Sequence, residues 1–186
     1  MTSTIDLLRT IWTKQIRAEY LQGLLPYERT LQAAIFSHIR ANPAGYKVFA
    51  EVPRFLDRGN PDLVITKGDH VEAVIEIKFV NGAIVYEHDI DKLVWWARKT
   101  SGTPGEAYLK LNPRTIQLSA EVFHVTDKTQ WIFAAIGPDD DVDALCPDVV
   151  RRYLHMKCRT KFENFWLFTG IAYSGSRKPK FACIRL

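Results

Sequence analysis

The sequence predicts an α/β protein, a sheet with helices packed on it, and three observations carry that prediction. Apolar residues recur at helical spacing over the first 40 positions. The period then shortens to that of strands between residues 47 and 80, and a helical stretch after residue 82 separates these strands from later apolar runs. At 186 residues the chain suits a single domain (1–186) with a full-sized core, centred on about 26–136.

The elements follow in order. Residues 3 to 22 read as a helix: Ser3 and Asp6 resemble a capping box, Ile5, Leu8, Trp12 and Ile16 recur at helical spacing, and Gly23 ends the run. A second helix starts at Pro26, a favourable first-turn residue, and runs through Leu31, Ile35 and Ile39 to Asn42-Pro43. Lys47 to Pro53 reads as a strand, Asp57 to Asn60 as a turn and Pro61 to Thr66 as a second strand. Lys67-Gly68-Asp69 is a turn, and Val71 to Val80 a third strand. After Asn81-Gly82 a helix runs to about Lys99, with Tyr86, Ile90, Leu93, Val94 and Ala97 as its apolar stripe. Its acids lie early and its bases late, as the helix dipole favours. Ser101 to Pro113 reads as irregular and Trp131 to Ile136 as a buried strand. Gly137-Pro138 and aspartates 139, 140, 141 and 143 form a loop. A short helix covers Val149 to Lys157 with Pro147 at its start, and strands Phe165 to Tyr173 and Phe181 to Leu186 flank a basic loop, Ser174 to Lys180. Strand order is not legible from pattern.

Composition excludes several classes. No apolar run is long enough to span a bilayer, and the N-terminus lacks the order of a signal peptide, because Asp6 and Arg9 interrupt its apolar residues. Three cysteines (Cys146, Cys158, Cys183) without C-x-x-C spacing point to thiols in a reducing, cytoplasmic setting rather than a disulfide frame. Histidines 38, 70, 88, 124 and 155 show no zinc-ligand spacing, and serine-hydrolase and Walker signatures are missing. Net charge is +4, yet residues 151–186 hold nine of the 25 basic residues and one of the 21 acids. That asymmetry fits either a polyanion-facing surface or a solvated basic tail.

The chemistry lies in a charge triplet on apolar strands: Asp62 opening one, Glu76 and Lys78 on the next. Side chains alternate along a strand, so Glu76 and Lys78 project to one side, as do Glu72 and Val74, while Val71, Ala73, Ile75, Ile77 and Phe79 form the other, buried face. If the two strands pair around the Lys67-Gly68-Asp69 turn, positions near 62 and 76 lie opposite. Neighbouring carboxylates raise each other's pKa, and a divalent cation relieves that.

Pro61-Asp62 and Glu76-Ile77-Lys78, with Glu28 upstream, resemble the PD-(D/E)xK nuclease superfamily. The resemblance covers roughly residues 26–100, with Trp131 to Ile136 as the next core strand. It implies a restriction-endonuclease-like mixed central sheet flanked by helices. It also implies Mg²⁺, replaceable by Mn²⁺, held by Asp62, Glu76 and the Ile77 carbonyl. Lys78 would position the attacking water or stabilise developing charge, and Glu28 would reach the metal through water. As an acid in a helix's first turn, Glu28 also has a purely dipolar explanation.

The expected activity is metal-dependent hydrolysis of nucleic acid, with DNA endonuclease first. A catalytically inactive nucleic-acid-binding or regulatory module of the same fold is the alternative, and a protein- or small-molecule-binding domain a third. Arg54, Arg58, Arg151, Arg152, Arg177, Lys178 and Lys180 would hold flanking phosphates. Trp95, Trp96 and Trp131 stack on bases or fill the core. Asp89 and Lys92 share a helix face with Trp96; some members of the resembled superfamily keep polar residues on the corresponding helix near the active site, but the preferred reading here is a solvated pair. Cutting both strands would favour a symmetric homodimer.

Overall fold

A computed structural model of the chain describes residues 3–42, 45–80, 87–110, 121–138, 147–157, 164–172 and 179–186. The N-terminal helix begins as α1 (Thr4–Thr10), widens into a π-helical turn over Ile11–Ile16 and ends as α2 (Arg17–Leu21). Ser3 caps it, its Oγ accepting from the Asp6 N–H at 3.2 Å, and Gly23 leaves it with φ +73°. A π turn bonds i to i+5 and so aligns residues five apart. Ile11 and Ile16, with Trp12, are accordingly all buried. The next helix, α3 (Glu28–Arg40), starts two residues later than Pro26. Tyr27 is extended, and its N–H donates to Thr30 Oγ1 at 3.1 Å, a cap that fixes the helix start after it.

The strands are β1 (Tyr46–Ala50), β2 (Leu63–Lys67), β3 (His70–Phe79), β4 (Gly105–Tyr108), β5 (Val122–Val125), β6 (Gln130–Pro138), β7 (Phe165–Ala172) and β8 (Lys180–Arg185). The later helices are α4 (Glu87–Lys99) and α5 (Pro147–Lys157). They form a mixed, open eight-stranded sheet flanked by helices. Its main order is β1-β2-β3-β6-β7-β8, and β5, which bridges to β3, carries β4. β1, β2 and β3 are an antiparallel meander, β3, β6 and β7 run parallel, and β8 returns antiparallel.

Four expectations are corrected. Ser101 to Pro113 is not wholly irregular: β4 lies within it and pairs with β5, an element the sequence reading missed. Both are four-residue strands whose pairing, not their composition, defines them. Gly137 and Pro138 extend β6, paired to Ile171 and Ala172, instead of turning. Lys47 to Pro53 stops as a strand at Ala50, where the backbone enters the left-handed region at Glu51 (φ 48°). Finally, Thr66 pairs with Val71 while Ile65 pairs with Ala73, so Glu72 is the extra residue of a bulge in β3. Val71 therefore joins the opposite core from Ala73, and Glu72 accepts from Thr4 Oγ1 at 2.8 Å in α1 instead of siding with Val74. Tyr86, the start of the α4 segment, aspartates 139–143, Cys146, Cys158, and most of the Ser174–Lys180 loop with Arg177 and Lys178 lie outside the described residues.

Each sheet face has its own core. Leu63, Ile65, Ala73, Ile75, Ile77, Ile132, Ala134 and Ile136 meet the N-terminal helices. Val64, Val74, Phe133, Ala135 and Leu167 meet α4 and α5. Trp12 ties its helix to the sheet by donating from Nε1 to the Thr169 carbonyl at 3.0 Å. The C-terminal strands thus complete the sheet. Among the described residues no helix is long and apolar enough to cross a membrane.

Gly170 in β7 lies under the Phe181 ring, which is itself wedged beside Trp12 and Tyr20. A Cβ there would meet Phe181 Cε1 at 2.6 Å and Ile136 Cγ1 at 2.8 Å. Gly170→Ala should therefore destabilise the fold by ~1–3 kcal/mol, the usual cost of overpacking. Urea denaturation measures this, and an unchanged midpoint would show that the ring yields.

Candidate functional site

The antiparallel seam between β2 and β3 builds the site. Leu63 pairs with Ile75, which places Asp62 just past the end of β2, level with Glu76 and on the same face. Asp62 Oδ2 accepts from the Ile77 N–H at 2.6 Å. The N–H and C=O of a strand residue point to the same neighbour, so the Ile77 carbonyl also faces Asp62. The Asp62 backbone is fixed in turn, its carbonyl accepting from Gln32 Nε2 at 2.8 Å in α3 and from the Glu51 N–H at 3.1 Å. Glu28, first residue of α3, sends its carboxylate to the Phe79 N–H at 3.2 Å and lies 3.9 Å from Lys78 Nζ. The sequence-predicted Asp62, Glu76, Ile77, Lys78 and Glu28 therefore gather at one end of β3.

Asp89 and Lys92 are a correction to the sequence reading. They are not a solvated pair: their side chains are 13% and 18% exposed and face the sheet. Lys92 Nζ lies 2.5 Å from Glu76 Oε2, and Asp89 lies 3.4 Å from Lys78 Nζ and 3.2 Å from Lys92 Nζ. The available signal was Trp96, one and two turns along the same helix face. That ring is fully buried and donates from Nε1 to the carbonyls of Phe55 and Arg58, so the face points inward. Trp96 and Trp131 are core. Trp95 is half-buried, with Arg58 and Lys99 each 5.3 Å from its ring centroid.

Of the predicted phosphate contacts, Arg54 and Arg58 ride on the β1–β2 connection, which borders α4. That connection is strained: Glu51, Arg54, Leu56 and Asp57 all have φ between 48° and 70°. Lys99 Nζ donates to the Leu56 carbonyl at 2.9 Å and pairs with Asp57 at 2.5 Å. Lys180 is exposed on β8, at the sheet end that holds Lys78, three strands from β3. Arg151 and Arg152 lie on the exposed face of α5, where Arg151 bonds Asp148 and the Arg185 carbonyl and Arg152 the Asp148 carbonyl.

The electrostatics leave a deficit. Glu76 is 1% exposed, and its Oε1 has no hydrogen-bond partner among the described residues. Burial pushes the Glu76 carboxyl up to about 8, the Asp62 charge adds to the rise, and Lys92 opposes it. Burial likewise pushes Asp62 up to about 6, against the Ile77 N–H and Lys92. Burial works against the Lys92 ammonium, but its bonds to Glu76 and Asp89 outweigh that and raise its pKa. Four carboxylates (Glu28, Asp62, Glu76, Asp89) thus surround two ammonium groups (Lys78, Lys92), two positive charges short when all are ionised. Among the described residues no three His, Cys, Asp or Glu side chains converge as a metal-holding group. Two carboxylates, one with a partnerless buried oxygen, and a backbone carbonyl are nonetheless hard-oxygen donors, the ligand type that Mg²⁺ and Mn²⁺ take.

The proton balance has a measurable consequence. An ordinary glutamate titrates near 4.5 and Glu76 near 8, so across that window the native chain binds more protons than the unfolded one. The stability contributed by the protonated carboxyl is complete at low pH and is lost as pH rises through about 8. Unfolding free energy in EDTA should fall from about pH 5 to about pH 8 by more in the parent than in Glu76→Gln. Equal slopes in urea titrations would place the proton elsewhere.

Comparison of the chain with protein-family models, with curated proteins and with solved structures finds no match.

Proposed function

We propose that the chain is a metal-dependent nuclease of the PD-(D/E)xK type on a restriction-endonuclease-like sheet, hydrolysing phosphodiester bonds of nucleic acid. DNA is the expected substrate and internal cleavage the expected mode. The observation that carries this reading is the placement of Asp62 and Glu76 level with each other across the β2–β3 seam. Glu76 keeps a buried, partnerless oxygen there, and Lys78 stands two residues further along the same face.

Asp62, Glu76 and the Ile77 carbonyl are the residues that would hold Mg²⁺ or Mn²⁺. A divalent cation so bound supplies Lewis-acid polarisation of the phosphate and a water of lowered pKa. The remaining roles belong to the chain. Lys78 is one-third exposed and stands between the Asp89 and Glu28 carboxylates, at 3.4 and 3.9 Å. They hold its ammonium at the mouth of the site, where it can orient a water or meet charge developing on a phosphoryl oxygen. Glu28 also clamps the first turn of α3 to the end of β3 through the Phe79 N–H. Arg54 and Arg58 are exposed on the loop beside α4, and Lys180 at the same end of the sheet, where flanking phosphates of a bound strand would run.

A second reading, a nucleic-acid-binding module of the same fold without catalysis, is favoured by one observation. Lys92 already sits on Glu76 at 2.5 Å, as in a scaffold that neutralises its carboxylate internally.

Incubation with plasmid, single-stranded DNA and RNA separates the two. The parent should cut at least one substrate with Mg²⁺ or Mn²⁺ and none in EDTA. Asp62→Ala, Glu76→Ala and Lys78→Ala should each lose about 10²-fold or more in rate. Cleavage by the triple variant equal to that by the parent would remove the assignment. Binding that falls with salt, without cleavage, would select the second reading.

A further inference from the structure

Helix α4 and strand β3 oppose two acid–lysine pairs, both of unlike charge once Glu76 is ionised. Lys92 of the helix meets Glu76 of the strand at 2.5 Å, Asp89 of the helix meets Lys78 of the strand at 3.4 Å, and Lys92 and Asp89 touch each other at 3.2 Å. Among the described residues Lys92 is the ammonium in contact with Glu76, and Glu76 is closed off from solvent at 1% exposure. Of the two Glu76 oxygens, Oε2 is therefore already taken by a positive group of the chain, while Oε1 has no partner among the described residues.

We infer that Lys92 is a built-in counter-ion that competes with the divalent cation for Glu76, and that Asp89 is the partner to which it withdraws. The inference rests on the metal-dependent reading above. A dication and an ammonium repel each other, and in a half-buried cluster water and salt screen that repulsion poorly. A cation that takes Oε2 as well as the partnerless Oε1 displaces Lys92. Lys92 can leave at small cost because its Nζ already touches Asp89. A Cβ on Gly59, in the loop before β2, would touch the Lys92 Cδ at 3.6 Å, so that backbone lines one side of the stem. The ammonium can swing between Glu76 and Asp89, both of which it already touches. When Lys92 moves fully onto Asp89, that carboxylate has less hold on Lys78. Cation binding thereby frees the lysine at the mouth of the site. Lys92 is thus a positioning residue, acting through Glu76 and Asp89.

The sign of one measurement decides between this role and a merely orienting one. If Lys92 only steadied Glu76, removing it would weaken cation binding; if it competes, removal strengthens it. Mn²⁺ titration calorimetry on the parent, Lys92→Met, Lys92→Gln and Lys92→Arg should show Met and Gln binding about tenfold or more tighter than the parent, ~1.4 kcal/mol. Arginine should stay near the parent. In the parent, saturating Mg²⁺ should move the Lys92 Cε and Nζ NMR resonances, a readout that needs no variant to fold. Unchanged or weaker Mn²⁺ binding in both neutral variants, or an unmoved Lys92 resonance while Mg²⁺ binds, would overturn the inference alone. Failure of all four proteins to bind Mn²⁺ saturably would overturn the metal-dependent reading with it.

Discussion

The register between β2 and β3 is the constraint on which the rest of the site depends. A strand shifted by one residue turns every side chain to the opposite face. Here Leu63 opposite Ile75 sends Asp62 and Glu76 together toward α4, and Ile75 and Ile77 together toward the N-terminal helices. The bulge at Glu72 makes this register compatible with the turn at Gly68, where φ is +62°. Without the extra residue, the hydrophobic alternation near the turn and that near the carboxylates could not both be met. Val71 fills the α4-side core and Glu72 hangs off the far side on Thr4, while four residues on the carboxylates face where they must.

That placement has a cost, and the neighbouring helices are arranged around it. Two carboxyls lie where burial opposes their ionisation. The chain answers with contacts from three directions: the Ile77 N–H along the strand, Lys92 from α4, and Gln32 on the Asp62 carbonyl from α3. Asp89, which bridges the two lysines, sits in the first turn of α4, where the helix dipole favours an acid. Buried ion pairs of this kind contribute little to net stability compared with apolar packing. Their retention here makes sense as positioning of charge, which apolar residues could not do.

How far the sequence revealed this differs by element. The apolar strand run, the turn between β2 and β3 and the level placement of Asp62 and Glu76 were readable, because side-chain alternation and a short hairpin leave few alternatives. The inward turn of Asp89 and Lys92 was not. A charged pair on a helix surface is ordinarily solvated, and Trp96 on the same face and the resemblance of the strand motif were the signals to the contrary. The bulge escaped because an inserted residue changes pairing without changing composition. β4 and β5 escaped because Gly105–Tyr108 and Val122–Val125 are too short to show a period. Strand order, which places Lys180 at the same end of the sheet as Lys78, depends on long-range pairings that no local pattern encodes.

The connection between β1 and β2 has a property of its own. Four of its non-glycine residues hold a left-handed backbone, at ~1–2 kcal/mol apiece. What offsets this comes largely from outside: Trp96 and Lys99 of α4 bond the carbonyls of Phe55, Arg58 and Leu56. The shape of this segment therefore depends on α4 staying docked against it. Arg54 and Arg58 thus project from a loop that α4, more than the loop's own backbone preferences, holds in shape.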